Sequence, residues 1–361
     1  MGEIPLALFY IALRKTSLTF TRVDMLRPTI KSIAQELGIS HATVSMALRD
    51  NPLIKIQTRE RIKQAAAALG YIPNGIAQAM RSQQVSILGV IVGNMGNSFT
   101  GLIVEAIESQ AQQHGYQCLI CQTHGSQAEL EQEIRVLEKH RTAGLIIQAL
   151  DFENQVDFYN RVLRPFAPCV FCDGEVPGYP SSAVLSDSRA MGFLATQHLI
   201  DLGHQRIAWL QGPDRNAQER FKGYCRALKK AALPLDENLI VRGGWGFKEG
   251  VRSATELVSR GKPFSALIAS SDPVAVGAMQ ALKKADLHIP GDVSVIGAGN
   301  HDFAGFVTPT LTSIEQNPGE IGRRSMNMLF DLINDPKKPF RQSLIKPQLM
   351  ARESTAARKR G

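Results

Sequence analysis

The 361-residue sequence lacks the motifs that mark most enzyme classes. No GxGxxG motif follows an apolar strand, and the stretch from Gly93 to Gly96 is only a weak echo of one. Gly261 and Lys262 do not form a phosphate-binding Walker loop, and neither a GxSxG motif nor a clustered set of His, Asp and Glu occurs. These absences disfavour an enzyme, including an NAD-dependent one, and predict no catalytic residues and no cofactor.

The sequence also lacks a membrane-spanning or secretory segment. The mostly apolar stretch from Ile4 to Leu13 is too short to cross a bilayer. Its basic residues, Arg14 and Lys15, follow the apolar stretch, whereas those of a signal peptide precede it. We therefore expect no membrane partner and a cytoplasmic location, with residues 1–27 forming an N-terminal extension.

Cysteine is scarce, with five residues, but four of them form two CxxC pairs at Cys118/Cys121 and Cys169/Cys172. Such pairs suggest a four-thiolate zinc site. Both pairs lie in apolar, strand-like runs, where residues three apart point to opposite faces of a sheet. Buried free thiols in a reducing compartment are therefore expected, and no metal site. Cys225 is a lone residue in a predicted helix.

The sequence contains, from Thr29 onward, two short amphipathic helices joined by a tight turn. The apolar residues recur at helical spacing in both segments, and between them Gly38 suits a helix end and Ser40 suits the N-cap of the next helix. The periodic residues are Ile30, Ile33, Ala34 and Leu37, then Val44, Ala47 and Leu48. This spacing predicts a helix-turn-helix, whose second helix enters a DNA major groove.

The outward face of the second helix is unusual for a solvated helix because it carries no Glu or Lys. A rotation of about 100° per residue places Ala42, Ser45, Met46 and Arg49 on it, with His41 on its flank. Methyl and thioether groups can contact thymine methyls, and the polar groups can reach base edges or phosphates. The alternative is a small helical subdomain whose Met46 packs on a neighbour.

A third helix is predicted from Thr58 to Leu69, and basic residues surround its start. Residues 28–81 contain seven lysines and arginines against three acidic residues. The whole chain carries a net charge of +8, with a pI near 9.3. A basic module that flanks a reading helix favours contacts with phosphates and a polyanionic partner.

These segments, and others that follow in the same order, resemble the lac repressor (LacI–GalR) family. The resemblance covers about residues 28–356. Its core segments are SILGVIV from Ser86, GFLATQHLIDLGHQRIA from Gly192, IPGDVSVIG from Ile289 and AREST from Ala351. The Met25 segment is similar to a family start, so residues 1–24 are predicted to be an upstream mis-start or a disordered arm. The resemblance implies a helix-turn-helix domain at 28–72, a hinge at 73–85, an effector-binding core at 86–356 and a basic tail at 357–361.

In the LacI–GalR family the hinge becomes a short helix when two subunits meet on DNA, and this helix enters the minor groove. By position Met80 stands where the family usually has a leucine wedge, and Met remains suited to wedging. The alternative is a disordered linker. The predicted DNA-binding residues are Thr29, Ser40, His41, Ala42, Thr43, Ser45, Met46, Arg49, Asn74, Ala77, Gln78, Met80 and Arg81.

From Ser86 onward strands and helices alternate in two βαβαβ runs, which predict two doubly wound α/β lobes with parallel sheets. Ligands in such folds bind at the carboxyl ends of the strands. The resemblance implies a periplasmic-binding-protein-like core whose chain crosses three times between its lobes. The N-lobe is expected at about 86–185 and 317–345, and the C-lobe at about 187–315 and 347–356.

Carried over by position, the effector-binding residues are Asn97, Phe99, Asp173, Arg220, Trp245, Ser271, Asp272 and Gly299. Carboxylates, a guanidinium and aromatic rings suit a polyol such as a sugar. Two departures from the family pattern weaken the prediction that the effector is a sugar. Ser271 replaces a common Asn, and Gly299 stands where the family commonly has an effector-binding carboxylate. The effector is then an atypical sugar, another small metabolite, or absent.

Together these features predict a cytoplasmic, homodimeric transcriptional regulator, most simply a repressor, that binds a near-palindromic operator and responds to a small-molecule effector. The rival outside the enzymes is a solute-binding or sensor protein without a DNA role. Such a protein would keep the cleft but would lack residues 29–81 and carry a secretion signal.

Overall fold

A computed structural model describes residues 28–71, 87–152, 154–163 and 168–358. The chain divides into two compact units, residues 1–84 and residues 85–361. Within the described residues, no helix is long and apolar enough to cross a membrane.

The first unit contains three short helices: α1 (Ile30–Leu37), α2 (His41–Ala47) and α3 (Ile56–Ala68). Gly38 ends α1 in the left-handed conformation, with φ of 68°, and the Ser40 side chain accepts a hydrogen bond from the Thr43 amide to cap α2. Gly38 and Ser40 therefore have the predicted roles in the turn, as helix end and N-cap. The buried core of the unit consists of Ile33, Ala34, Val44, Ala47, Ile62 and Ala66.

The second unit contains two six-stranded sheets. Sheet 1 has the order β11-β5-β4-β3-β1-β2, and all its pairings are parallel. Its strands are β1 (Ile87–Val92), β2 (Gln117–Gln122), β3 (Leu145–Gln148), β4 (Cys169–Cys172), β5 (Ser182–Ser186) and β11 (Gln342–Ile345). The helices α4 (Ser98–Gln113) and α11 (Pro318–Asn334) cover one face, and α5 (Gln127–Lys139) and α6 (Gln155–Val162) cover the other.

Sheet 2 has the order β12-β10-β9-β8-β6-β7. Its strands are β6 (Ile207–Gln211), β7 (Ile240–Arg242), β8 (Ala266–Ala269), β9 (Ser294–Gly299), β10 (Thr312–Glu315) and β12 (Gln348–Met350). One face carries α7 (Ser188–Asp201) and α8 (Arg215–Lys230), and the other carries α9 (Phe247–Ser259) and α10 (Asp272–Lys284).

The chain passes between the two sheets three times, after β5, β10 and β11. The doubly wound α/β fold is confirmed, with one correction: β12 pairs antiparallel to β10, so sheet 2 is mixed. The start of the basic tail contacts the core, because the Arg358 amide donates to the Leu202 carbonyl at 2.8 Å.

The cysteines of each CxxC pair lie on opposite faces of sheet 1, as predicted. Cys118 and Cys172 pack into the apolar core beneath α4 and α11, whereas Cys121 and Cys169 pack into the core beneath α5 and α6. Burial raises the pKa of the Cys118 thiol to about 11 and that of Cys169 to about 12. Among the described residues, no group of three His, Cys, Asp or Glu side chains is arranged to hold a metal ion.

Helices α7 and α8 lie in unusually close contact because each has a glycine where it meets the other. A Cβ atom on Gly192 would stand 1.8 Å from the Arg220 carbonyl oxygen, and one on Gly223 would stand 2.1 Å from the Arg189 carbonyl oxygen. This contact fixes the two helix N-termini side by side. Both N-termini contribute residues to the cavity described below.

Candidate functional site

The exposed face of α2 is the first candidate site. His41, Ala42 and Arg49 are exposed, and Ser45 and Met46 are half-buried. The Arg49 guanidinium folds back on its own helix: Nε donates to the Ser45 carbonyl at 2.7 Å and Nη2 donates to the Ser45 hydroxyl at 3.1 Å. The two side chains are therefore joined in one polar group on this face.

The remaining predicted residues of this unit have capping roles. Thr29 caps α1 through a reciprocal pair of hydrogen bonds with Ser32, and the Ser40 hydroxyl lies 2.9 Å from that of Thr43. These exposed hydroxyls stand at helix N-termini, where backbone amides favour phosphate. The predicted hinge residues Asn74, Ala77, Gln78, Met80 and Arg81 lie outside the described residues.

Two of the basic residues expected to contact phosphates have an internal partner. The Lys63 amine lies 2.6 Å from the Asp50 carboxylate, and Arg59 donates to the Asp50 carbonyl at 2.9 Å. The hydrogen bond from Lys63 lowers the pKa of Asp50. These contacts hold the loop after α2, whose Asp50 has a left-handed φ of 55°.

An exposed apolar pair, Leu53 and Ile56, lies on either side of Lys55 and was not among the predicted residues. The run from Leu53 to Ile56 carries three apolar side chains, yet only Ile54 packs against the core of the unit. Exposed apolar side chains beside a cation are suited to a partner surface.

The second candidate site is a cavity of about 740 Å³ in the second unit. It lies where the carboxyl ends of β1–β5 in sheet 1 meet residues that follow β6 and β7 of sheet 2. Its volume is in the range of pockets for small molecules. Two hydrogen-bonded contacts join its walls: Asn216 Nδ2 donates to the Asp173 carbonyl at 3.1 Å, and Arg215 Nη2 lies 3.2 Å from Asp151 Oδ1.

Three of the predicted effector residues line the cavity: Asn97, Asp173 and Trp245. Asn97 caps α4, and Asp173 follows β4 with a left-handed φ of 53°. The Asp173 carboxylate accepts hydrogen bonds from Gln148 Nε2 at 3.4 Å and from the Ser186 hydroxyl at 3.3 Å. Burial raises the pKa of Asp173 to about 6, against the opposing effect of Arg220.

Arg220 lies behind the cavity wall, 6% exposed. Its guanidinium donates to the Ser270 carbonyl and lies 5.8 Å from the centre of the Trp245 ring. Burial lowers the pKa of Arg220, and the carboxylates of Asp214, Asp173 and Asp272 counteract that effect. Arg220 thus supports the wall and its aromatic residue.

The other four predicted effector residues stand apart from this cavity. Phe99 is buried in the core beneath α4, and Ser271 caps α10. Asp272 is fully buried, and its carboxylate accepts from the His301 amide at 2.8 Å and from the Ser313 hydroxyl at 2.6 Å. The His301 ring also occupies the space beside Gly299, 2.6 Å from where a Cβ would stand.

Several cavity residues were not predicted. They come from the strand ends of sheet 1 and from the N-termini of α7 and α8. The polar ones include Gln148, Ser186, Asp187, Ser188, Asp214 and Asn216. Their position directly after apolar strands was a usable signal, since parallel strands place their carboxyl ends at one edge.

The comparisons with known proteins match both units. Residues 29–74 match the family described as bacterial regulatory proteins, lacI family, and residues 196–355 match a periplasmic binding protein-like domain. The ribose operon repressor of Escherichia coli K12 is 30% identical over 328 residues, which is 90% of this chain and 99% of that protein. The chain belongs to the lacI family of bacterial regulatory proteins. Its lacI-family relatives are transcriptional repressors, and the chain is a DNA-binding transcriptional regulator.

Solved lacI-family structures agree with this fold. The lac repressor dimer bound to operator and the anti-inducer ONPF has a TM-score of 0.81 and 26% identity, covering 92% of this chain and 100% of that one. A complex of the transcriptional regulator CelR with cellobiose has a TM-score of 0.69 and 28% identity, covering 91% of this chain and 100% of that one.

Proposed function

We propose that the protein is a cytoplasmic, homodimeric repressor that binds a near-palindromic operator and whose operator affinity is tuned by a small molecule in the 740 Å³ cavity. The observation that carries the DNA role is the exposed face of α2, where His41, Ala42 and Arg49 are presented without any acidic residue. Relatives named as repressors support the direction of regulation.

The DNA contacts divide into reading and positioning groups. We assign contacts with base edges to His41, Ala42, Met46 and the hydrogen-bonded Ser45–Arg49 pair. We assign contacts with phosphates to Thr29, Ser40 and Thr43, at the N-termini of α1 and α2. The exposed cations Lys55 and Arg61 add to the electrostatic attraction. We also assign DNA contacts to the hinge, because its resemblance to the family hinge implies them. The residues are Asn74, Ala77, Gln78, Met80 and Arg81.

Operator geometry and exposed apolar residues support a two-fold dimer. A single α2 covers one half-site, and a two-fold axis presents two such helices to a near-palindrome. Leu102 of α4 and Ile120 of the edge strand β2 are exposed on neighbouring elements of sheet 1. Their burial against a second copy would remove apolar surface from water.

We assign the cavity to binding of a regulatory ligand, with no catalytic step. A ligand that touches both walls changes the balance of the Asn216–Asp173 and Arg215–Asp151 contacts. Operator and ligand are then coupled through the arrangement of the two halves of the core, and each changes the other's affinity by the same factor. A solute-binding protein would need the cavity but not α2.

Deletion of residues 1–82 tests the assignment, because it removes the first unit and leaves the second intact. We expect the truncated protein to keep its heat-unfolding transition and its dimeric state while losing all operator protection in footprinting. Sequence-specific protection by the truncated protein would overturn the DNA role of α2. Genome-wide footprinting of the full chain then identifies the operator.

A further inference from the structure

The charge of the cavity lining is strongly one-sided. Its described residues include six carboxylates and two guanidinium groups. Each guanidinium is already paired with a carboxylate: Arg189 with Glu219 at 2.6 Å and Arg215 with Asp151 at 3.2 Å. The carboxylates that remain are Asp173, Glu175, Asp187 and Asp214.

These four carboxylates have neutral partners for the most part. Asp187 and Asp214 accept the Ala190 and Ala217 amides as helix caps, and Asp173 accepts from Gln148 and Ser186. The buried guanidinium of Arg220 interacts electrostatically with Asp173, Asp214 and Asp272 together. One guanidinium shared among three acids leaves the cavity with an excess of negative charge.

A buried hydroxyl group in the lining is a second, independent indication that the cavity binds a polar ligand. Ser188 lines the cavity and is 5% exposed, and its Oγ has no hydrogen-bond partner among the described residues. A buried hydroxyl is normally satisfied by a partner. Ser188 directly follows Asp187, so a ligand group that donates to the carboxylate can also meet this hydroxyl.

The remaining lining residues suit a hydroxylated ring. Asn94, Asn97 and Gln148 supply amide groups at the sheet 1 wall, and the Trp245 ring, 39% exposed, supplies an aromatic surface. An aromatic face attracts both the apolar face of a sugar and an ammonium group. The carboxylates available to a ligand lie on the sheet 1 side and at the N-termini of α7 and α8. The Asp272 carboxylate already accepts hydrogen bonds from His301 and Ser313.

We propose that the cavity selects a small, polyhydroxylated ligand carrying a positive charge, such as an amino sugar, and rejects phosphorylated or carboxylated ligands. This inference rests on the proposed role of the cavity as the effector site. Carboxylates in a partly enclosed site attract a cation and repel an anion more strongly than they do in open solvent. Hydroxyl groups satisfy the amides and Ser188, and the ammonium group meets Asp173 or its acidic neighbours.

The test compares ligands matched in shape and different in charge. The full chain is titrated calorimetrically near pH 7 with glucosamine, galactosamine and mannosamine, with their N-acetyl derivatives, and with the 6-phosphates of the parent hexoses. We expect at least one amine to bind about tenfold or more tightly than its N-acetyl and phosphate counterparts. Tighter binding of the neutral or anionic counterparts, or no binding by any amine, overturns the proposal.

Two variants localise the effect. Asp173→Asn and Asp187→Asn each remove one negative charge while keeping shape, and Asn caps a helix as well as Asp. Each is expected to weaken amine binding about tenfold. Asp286→Asn is the matched control, because Asp286 is exposed and, like Asp173, has a left-handed φ. Unchanged amine affinity in both cavity variants contradicts the inference, while operator footprints of the same proteins test the regulatory role separately.

Discussion

Asn216 at the start of α8 donates its side-chain amide to the backbone carbonyl of Asp173, the residue that follows β4, at 3.1 Å. The bond joins an element packed on sheet 2 to the carboxyl edge of sheet 1. It therefore links the helix N-termini of one half of the core to the residue with the most perturbed carboxylate in the cavity.

Loss of this bond should loosen the connection between the two halves. Asn216→Ala is expected to lower the free energy of unfolding by about 0.5–1.5 kcal/mol, the net value of one hydrogen bond. Urea denaturation measures the change. Asn160→Ala, on the exposed side of α6, is the control and should cause no loss. Equal stability of both variants would show that the Asn216 contact does not hold the halves together.

The Asp173 carboxylate should make stability depend on pH. Its pKa of about 6 exceeds the ordinary 3.8, so the folded protein holds this proton over a range where the unfolded chain has lost it. The free energy of unfolding therefore falls as pH rises from about 4 to about 6. Above that range the folded protein bears the full penalty, which is the cost of holding the ionised Asp173 carboxylate. Asp173→Asn removes the penalty, which is at most about 3 kcal/mol because Asp173 is only partly buried.

Heat unfolding at a series of pH values checks this prediction. Asp173→Asn should unfold at a higher temperature than the parent chain near pH 7, and the difference should vanish near pH 4. Asp286→Asn should show no such dependence, since Asp286 is exposed. A stability gain for Asp173→Asn that persists unchanged at low pH would point to a cause other than buried charge.

The close approach of α7 and α8 should not tolerate a side chain at Gly192. A methyl group there would meet the Arg220 carbonyl oxygen at 1.8 Å, and a backbone atom cannot turn aside as a flexible side chain can. Gly192→Ala should destabilise the core by about 1–3 kcal/mol or more, measured by urea denaturation. Gly101→Ala in α4 is the matched control: beyond its own stretch of helix, no atom of the described residues lies within 4 Å of the added methyl, so it should stabilise slightly.

Met46 should contribute to base preference. Met46→Ala removes an apolar side chain from the exposed face of α2, and we expect weaker discrimination at one operator position by about 1 kcal/mol, with little change in nonspecific affinity. Binding to a set of single-base operator variants measures the effect. Met350→Ala, in an exposed position of β12, is the control. A uniform loss across all operator variants would mean that Met46 only packs.

Local signals explain which parts of the fold were predictable. The strands β1, β2 and β8 are apolar runs bounded by polar residues, so a local pattern in the sequence marks them. Helix α7 carries a weaker local signal, because Ser188, Gly192 and Thr196 occupy buried positions and interrupt its apolar period. The antiparallel pairing of the three-residue β12 depends on a partner far away in the chain and carries no local signal.

The helix-turn-helix can be predicted from the sequence alone, because caps, turn and apolar period all act within a few residues of one another. The sequence also predicts a ligand site at the polar strand ends of an α/β core. Which of those residues reach the cavity depends on contacts between distant parts of the chain. Asp272 is buried and accepts hydrogen bonds from His301 and Ser313, which lie 29 and 41 residues further along the chain, whereas Asp173 lines the cavity. The direction of a strand-end carboxylate depends on donors that the fold brings to it, and no local pattern records where those donors will be.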